Sequence, residues 1–439
     1  MALVNATGVW DAGALCMTPD FAAGRPEEKT IPPADADVLR RLAERVAELA
    51  SRPQEAEKRL LWKRHNTLGR TRPLILCDPE NGWNEIIPAD ELLCAEPLAR
   101  RWEMVLRKEI FWGERLKDDK VIERRFDIGY THAEDDWGTA ETQVGGREGG
   151  SYTWVPSVKD PEDAAGLHPP RLEVDRETTR HTAVLAEGLF GDLLVVRTVG
   201  VWWWSLGLSF DLARMRGMEQ LMLDMVEDPP LVHRLMAIIR DGHLSRLDYL
   251  EEQGLLASNT DQYVGSGGFG YTDELPQSPP AGGVSTRDMW GFSESQETIG
   301  VSPAMFEEFI FRYQLPILRR FGLNCYGCCE PLDERWPVIK TTPRLRRVSV
   351  SPWADMVKMR EQLEDRYILS VKPNPAPLAL RRLDEDAVRR TIRDALRATK
   401  GGHVEIIMKD NHTLGGNPEN AVEWVRIARE EVERFPRRE

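Results

Sequence analysis

Residues 346–371 read RRVSVSPWADMVKMREQLEDRYILSV. The stretch RRVSVS at 346–351, the helical stretch at 353–364 and the apolar run at 367–371 (YILSV) read as a strand, a helix and a strand in quick succession. A connection of that kind joins parallel strands, because a tight hairpin can only reverse the chain. The same alternation continues on both sides. Upstream lie helix 175–190, strand 193–199 (LLVVRTV), helices 215–227 and 229–253, strand 255–261 (LLASNTD), a strand-like stretch at 286–293 (TRDMWGFS), helix 303–320, strand 321–326 (FGLNCY) and helix 331–341. Downstream lie helix 384–399, strand 403–408 (HVEIIM) and helix 417–434. So many consecutive units without a reversal predict an α/β protein whose residues 151–439 form a closed (β/α)8 TIM barrel.

Residues 1–150 read as a mainly helical N-terminal extension packed on that barrel. A loosely packed lead-in to about residue 35 is followed by a helical pattern from Asp35 to about Lys63, with Leu39, Leu42, Val46 and Leu49 at helical spacing. A short strand is expected at 73–77 (PLILC), then a long helical region broken near Pro97, and a linker-like stretch at 145–170.

The chain has 439 residues, 41% of them hydrophobic, which is ample material for a large core and excludes wholesale disorder. Lys plus Arg total 58 against 72 Asp plus Glu, a net charge of −14. That sign excludes a general binder of nucleic acid or anionic membrane. The most apolar stretch, VGVWWWSLGLSF at 199–210, is far short of the ~20 residues a span needs. The start, MALVNATGVWDAG, lacks a basic segment leading into an apolar one, so no secretory signal is expected and the cytoplasm is the expected address. Six cysteines are too few for a disulfide scaffold.

In a parallel barrel the chemistry gathers just past the carboxyl ends of the strands. Four places qualify: Asn259 and Asp261; Glu294 and Gln296; Tyr326 to Glu330; and Asp410 to His412. The third packs Cys325, Cys328, Cys329 and Glu330 into one strand-to-helix turn. A structural zinc site would want a second Cys-x-x-Cys pair, which the chain lacks; a catalytic zinc needs only three protein ligands and keeps one position open. Cys328 and His412, with Glu330, Cys329 or Tyr326 as the third donor, could form such a set, Asp410 orienting the imidazole or simply capping a turn. Without metal, the same cysteines would be small buried hydrophobes. Asp261 and Glu294 are candidate acid/base groups, or else turn formers. His233 and His243 fall on helices and read as structural. Gly265, Gly267 and Gly270 match G-x-G-x-x-G, but three prolines follow and no helix can open there, so a dinucleotide fold is rejected in favour of a flexible loop over the barrel mouth. Trp202, Trp203 and Trp204 could floor an apolar pocket or simply pack.

The order VSPAMFEEF (301–309), FGLNCYGCCEPL (321–332), RRVSVSPWADM (346–356), VKPNP (371–375) and IMKDNHTLGGNPENAVEW (407–424) resembles the uroporphyrinogen decarboxylase-like superfamily over about residues 175–435. The resemblance implies a (β/α)8 barrel and either porphyrin decarboxylase or corrinoid-dependent methyltransferase chemistry. The decarboxylase's arginine-rich R-Q-A-G-R-Y signature, which would clamp a polycarboxylate, is missing. The methyltransferase branch carries H-x-C near a strand end and a late cysteine; here Tyr326, Gly327 and Cys328 stand at the first and His412 at the second. The resemblance therefore implies methyl transfer between a small O-, N- or S-methylated substrate and a corrinoid delivered by a carrier protein. Zn²⁺ held by Cys328, Glu330 and His412 would assist, with Asp261, Glu294, Tyr326 and Asp410 as catalytic candidates. Homodimerisation is common among such barrels. The alternative it implies is a lyase acting on a small carboxylated substrate.

Overall fold

The computed structural model describes residues 30–139, 142–145, 152–200, 202–276 and 280–435. Most of the expected lead-in, and residues 146–151 of the linker-like stretch, lie outside the described residues. Two compact units emerge. One takes Ala133–Glu173 and Trp203–Lys372; the other takes described residues 30–132, Val174–Trp202 and those from Pro373 on. Each unit draws on both sides of position 150.

In the first unit, strands Trp290–Ser293, Leu323–Tyr326, Leu345–Val350 and Ile368–Val371 pair in chain order, every pairing parallel. Their residues are almost all buried, as the strands of a parallel sheet are when helices cover its faces. Helix Arg312–Leu318 packs on the first strand and Met356–Leu363 on the last. The latter starts where Asp355 accepts hydrogen bonds from the backbone N–H groups of Val357 and Lys358, both at 3.0 Å. The helix expected over 303–320 is interrupted: Pro303–Phe306 is α-helical, Glu307–Phe311 widens into a π-turn, and α-geometry resumes at Arg312, ahead of Pro316. Of the helix expected at 331–341, only Trp336–Ile339 is α-helical.

One predicted strand does not exist. Residues 255–261 are irregular, because Ser258, Asn259 and Thr260 hydrogen-bond side chain to backbone and to one another instead of joining a ladder. Asn259 imitates a strand: its Nδ2 donates to Trp290 O and its Oδ1 accepts from Trp290 N, each at 2.9 Å. The glycine-rich stretch that follows is no open loop. Ser266, Gly267 and Phe269 are buried, Gly265 and Gly268 take positive φ, and a Cβ on Gly265 would sit 2.9 Å from Phe292.

In the second unit, strand Leu74–Cys77 pairs in parallel with His403–Met408, and Arg125–Ile128 with Val195–Thr198. The helical pattern at 35–63 resolves into two helices, Pro33–Ala50 and Pro53–Asn66, because Pro53 forces Arg52 out of helical geometry (ψ 140°) while fitting the first turn of a new helix. Both units mix helices with parallel strands, so the protein is of the α/β class. Among the described residues no helix is long and apolar enough to cross a membrane.

Candidate active site

The first unit brings several predicted residues together just past two adjacent strands. Ser293 ends one strand and Tyr326 the next, and they are register partners. Glu294 follows the first; Gly327 to Glu330 follow the second. Gly327, at φ +92°, makes the turn that carries Cys328 and Glu330 back toward Glu294, and its N–H bonds Ser293 O at 2.9 Å. Glu330 is fully buried. Its Oε1 accepts from the Ser295 N–H at 2.8 Å and its Oε2 from the Cys328 N–H at 2.9 Å. Glu294, also fully buried, accepts from Ser205 Oγ at 3.0 Å and from the Gln296 N–H at 2.9 Å.

Glu297 completes the group. It is only partly buried and accepts from Ser209 Oγ at 2.8 Å. Burial raises the proton affinity of all three carboxyls. Glu294 is pushed furthest, well above the usual carboxylate range, and the charges of Glu297 and Glu330 add to the effect. Carboxyls of like charge set close together do not titrate independently.

Around them, Gln314 ties the widened helix to the strand ends: its Nε2 donates to Gly207 O and Glu294 O, and its Oε1 accepts from the Tyr326 hydroxyl at 2.7 Å. Burial, and then the charge of Glu330, raise Tyr326 well above the usual phenol range, so it stays a neutral donor. Arg335, 4% exposed and stacked over Phe306, donates to Ser295 Oγ at 2.9 Å and to Thr298 O.

The structure thus brings Glu294 to Tyr326, Cys328 and Glu330, residues the sequence offered as two separate places, and adds Glu297, Gln314, Arg335 and Ser205, which sequence reasoning missed. Glu297 was visible as the second acid of E-x-x-E in SESQE; the others depend on tertiary packing. Asp261 stands, partly buried, in the 255–270 loop and supplies none of the hydrogen bonds just described. The tryptophan run packs rather than lining a pocket: Trp204 meets Phe292 edge-on at 5.3 Å, Trp203 meets Phe321, and Trp202 stacks on Tyr130. His243 bonds Asp211 at 2.8 Å and His233 bonds Tyr313, both structural as expected.

A second cluster follows the paired strands of the other unit. Asp78 and Glu80 succeed Cys77; Lys409, Asp410, Asn411 and His412 succeed Met408. Glu80 and Asp410 both hold left-handed backbone (φ +47° and +61°), a strained state for such residues. Burial pushes the Glu80 carboxyl up to about 8, with Asp78 and Asp410 adding to the shift and Lys409 opposing it. Asn411 anchors the turn by donating to Asp78 O at 2.6 Å. The expectation that Asp410 orients His412 fails: Asp410 sits 3.1 Å from Lys409, and the described contact of the His412 ring is Asn81 Nδ2 at 3.4 Å. The expectation of a separate corrinoid carrier rests on the chain having no D-x-H-x-x-G stretch, but Asp410 to Gly415 (DNHTLG) has that spacing.

Of the residues expected to hold zinc, Cys328 and Glu330 belong to the first unit and His412 to the second. Among the described residues no group of three or more His, Cys, Asp or Glu could hold a metal ion. Both Glu330 oxygens are already engaged by backbone N–H groups, and Cys328 Sγ lies 3.5 Å from Cys329 Sγ.

No protein-family model matches the chain, and no curated protein does. Among solved structures the chain is similar to a methyltransferase from Methanosarcina mazei, with 11% identity over 85% of this chain and 97% of that one, at a TM-score of 0.49.

Proposed function

We propose that the protein is a methyltransferase moving a methyl group between a small O-, N- or S-methylated substrate and a corrinoid on a partner carrier protein, and that its parallel strands belong to a (β/α)8 barrel. The observation that carries the reading is the cluster of Glu294, Glu297 and Glu330 just past the carboxyl ends of two paired parallel strands, with Glu294 and Glu330 fully buried and all three carboxyls raised in proton affinity by burial. Demethylation leaves a heteroatom with a developing negative charge or lone pair, and a positioned acid lowers that barrier. A corrinoid on the carrier would supply the electron pair for the new bond to the methyl carbon. The old carbon–heteroatom bond breaks with its pair going to the heteroatom, which takes the proton from Glu297, the partly exposed member. Glu297, open to solvent on one side, then recovers a proton from water. Tyr326 and Gln314 hold Glu294 in place through its backbone carbonyl.

No step is routed through zinc. The decarboxylating alternative would need cations able to hold a substrate carboxylate, and the cluster's Arg335 already gives its hydrogens to Ser295 and Thr298. The test is a panel of methyl ethers, methylamines and methyl thioethers with free cob(I)alamin, followed by the spectral change on methylation. At least one donor is expected to react, and Glu294→Gln or Glu297→Gln to lower turnover ~10²–10⁴-fold. Folded wild-type protein that demethylates nothing in the panel, or glutamine variants with undiminished turnover, would overturn the reading.

A further inference from the structure

The second unit holds a cavity of about 680 Å³ that the proposed chemistry does not use. It opens between the start of helix Pro53–Asn66, residues Gly113 and Lys117–Asp119, and the side chains of Arg72 and Arg429. Its size is that of a small-molecule site. Five cations line it, Arg52, Lys58, Arg72, Lys117 and Arg429, against four acids, Glu55, Glu57, Asp118 and Asp119. That is an excess of one positive charge, in a chain whose net charge is −14.

The buried acids are already engaged. Asp119, 1% exposed, accepts from Arg72 at 2.6 and 2.7 Å, from Arg429 at 3.1 Å and from the Ile75 N–H at 2.7 Å. Asp118 accepts from the N–H groups of Cys77 and Lys120, and Glu55 from Lys58 and the Ile122 N–H. Two cations are left over. Arg52 reaches only the Gly113 carbonyl, at 3.4 Å, and Lys117 has no acidic partner among the described residues. Lys117 is held in left-handed backbone (φ +54°) at the end of the turn Trp112–Leu116. Arg52 sits at the amino end of a 14-residue helix, where the backbone adds positive potential and no side chain caps the terminus.

We propose that this cavity binds a small multiply charged oxyanion of the phosphate-ester class, gripped by Arg52, Lys117 and the amino end of helix Pro53–Asn66, with the Arg72–Asp119–Arg429 bridge as a rigid wall. Arg72 and Arg429 share one carboxylate and so keep a residual positive field toward the cavity.

The probe is inorganic pyrophosphate, titrated calorimetrically into the full-length protein and scored in parallel by thermal unfolding. Saturable binding is expected, with Tm raised by a few degrees once the probe is ~100-fold above its dissociation constant. Arg52→Ala and Lys117→Ala, both partly exposed and without acidic partners, should each weaken binding about tenfold or more while leaving the unliganded Tm within a degree or two. Sulfate at matched ionic strength controls for general salt effects. No saturable heat with pyrophosphate, an equal Tm shift with sulfate, or undiminished affinity in the double variant would each overturn the proposal. Methyl-transfer activity enters none of these readouts.

Discussion

Asp118→Asn tests the electrostatics of the second unit quantitatively. Asp118 is 1% exposed and accepts from the N–H groups of Cys77 at 2.8 Å and Lys120 at 2.9 Å, closing the edge of strand Leu74–Cys77. Burial raises its carboxyl from 3.8 to about 6 in spite of those two bonds. Between these values the folded protein binds more protons than the unfolded chain, so stability falls as pH rises through the window. A shift of about two units corresponds to ~3 kcal/mol over the whole range, of which ~2 kcal/mol falls between about pH 4.5 and about pH 7.5. Asparagine cannot titrate, and its amide presents a donor to one of the two N–H groups, for a constant cost of about 1–3 kcal/mol. The variant should therefore be less stable at low pH and lose less stability as pH rises. Urea unfolding followed by tryptophan fluorescence at the two pH values gives the comparison, and carboxyls common to both proteins cancel in the difference. If the variant and wild type lose equal stability from low to high pH, Asp118 is not held protonated by burial and the reasoning fails.

Methyl transfer should slow as pH rises through the upper apparent pKa of the Glu294–Glu297 pair, since both carboxyls are raised and the donor is their acid form; a kcat/KM profile flat to about pH 9 would contradict a carboxyl donor. Asn259→Ala removes both bonds to Trp290 and leaves that backbone N–H and C=O without their partner, so urea unfolding should show a loss of about 1–3 kcal/mol. No measurable loss would mean that Asn259 does not serve as a strand substitute. Gly207→Ala places a Cβ 2.4 Å from Glu294 Oε1 and 2.6 Å from its backbone carbonyl, so it should displace the acid and lower both stability, by ~1–3 kcal/mol, and turnover. Turnover at the wild-type level in a stably folded variant would show that the position of Glu294 is not critical.

The parallel strands were legible because each is a short run set between helices, rich in apolar or β-branched residues in most cases; 403–408 was read to the residue and 367–371 within one. The false strand at 255–261 shows where that reading stops. Leu255 and Leu256 resemble the start of a strand, but the Ser, Asn, Thr and Asp after them can bond locally, and a polar side chain can occupy a ladder position without being strand. Of the breaks inside helices, the one near Pro97 was read from its proline, whereas the one at Pro53, equally marked, was passed over. The π-turn at Glu307–Phe311 leaves no comparable mark, although it lies one turn before Gln314, the residue joining Tyr326 to Glu294. Glu80 and Asp410 illustrate a different limit: nothing in the residue types announces left-handed backbone at a glutamate.

The cysteine-rich turn was chemically conspicuous for its thiols, yet its carboxyls carry the argument. Sulfur beside an acid and a distant histidine suggests a Lewis acid that stabilises a leaving heteroatom. A proton meets the same demand, provided some group holds it at neutral pH, and that requires a carboxyl shielded from water beside others of like charge. The chain supplies this by placing Glu294 and Glu330 on adjacent parallel strand ends and Glu297 one short turn later. The backbone N–H groups of Gln296 and Cys328 accommodate whatever negative charge remains. Under this reading the thiols of Cys328 and Cys329 are dispensable for turnover, whereas the acids are not. Cys328→Ser should therefore keep most of its activity while Glu297→Gln loses it; the reverse order would restore the thiolate, and with it a metal, to the centre of the chemistry.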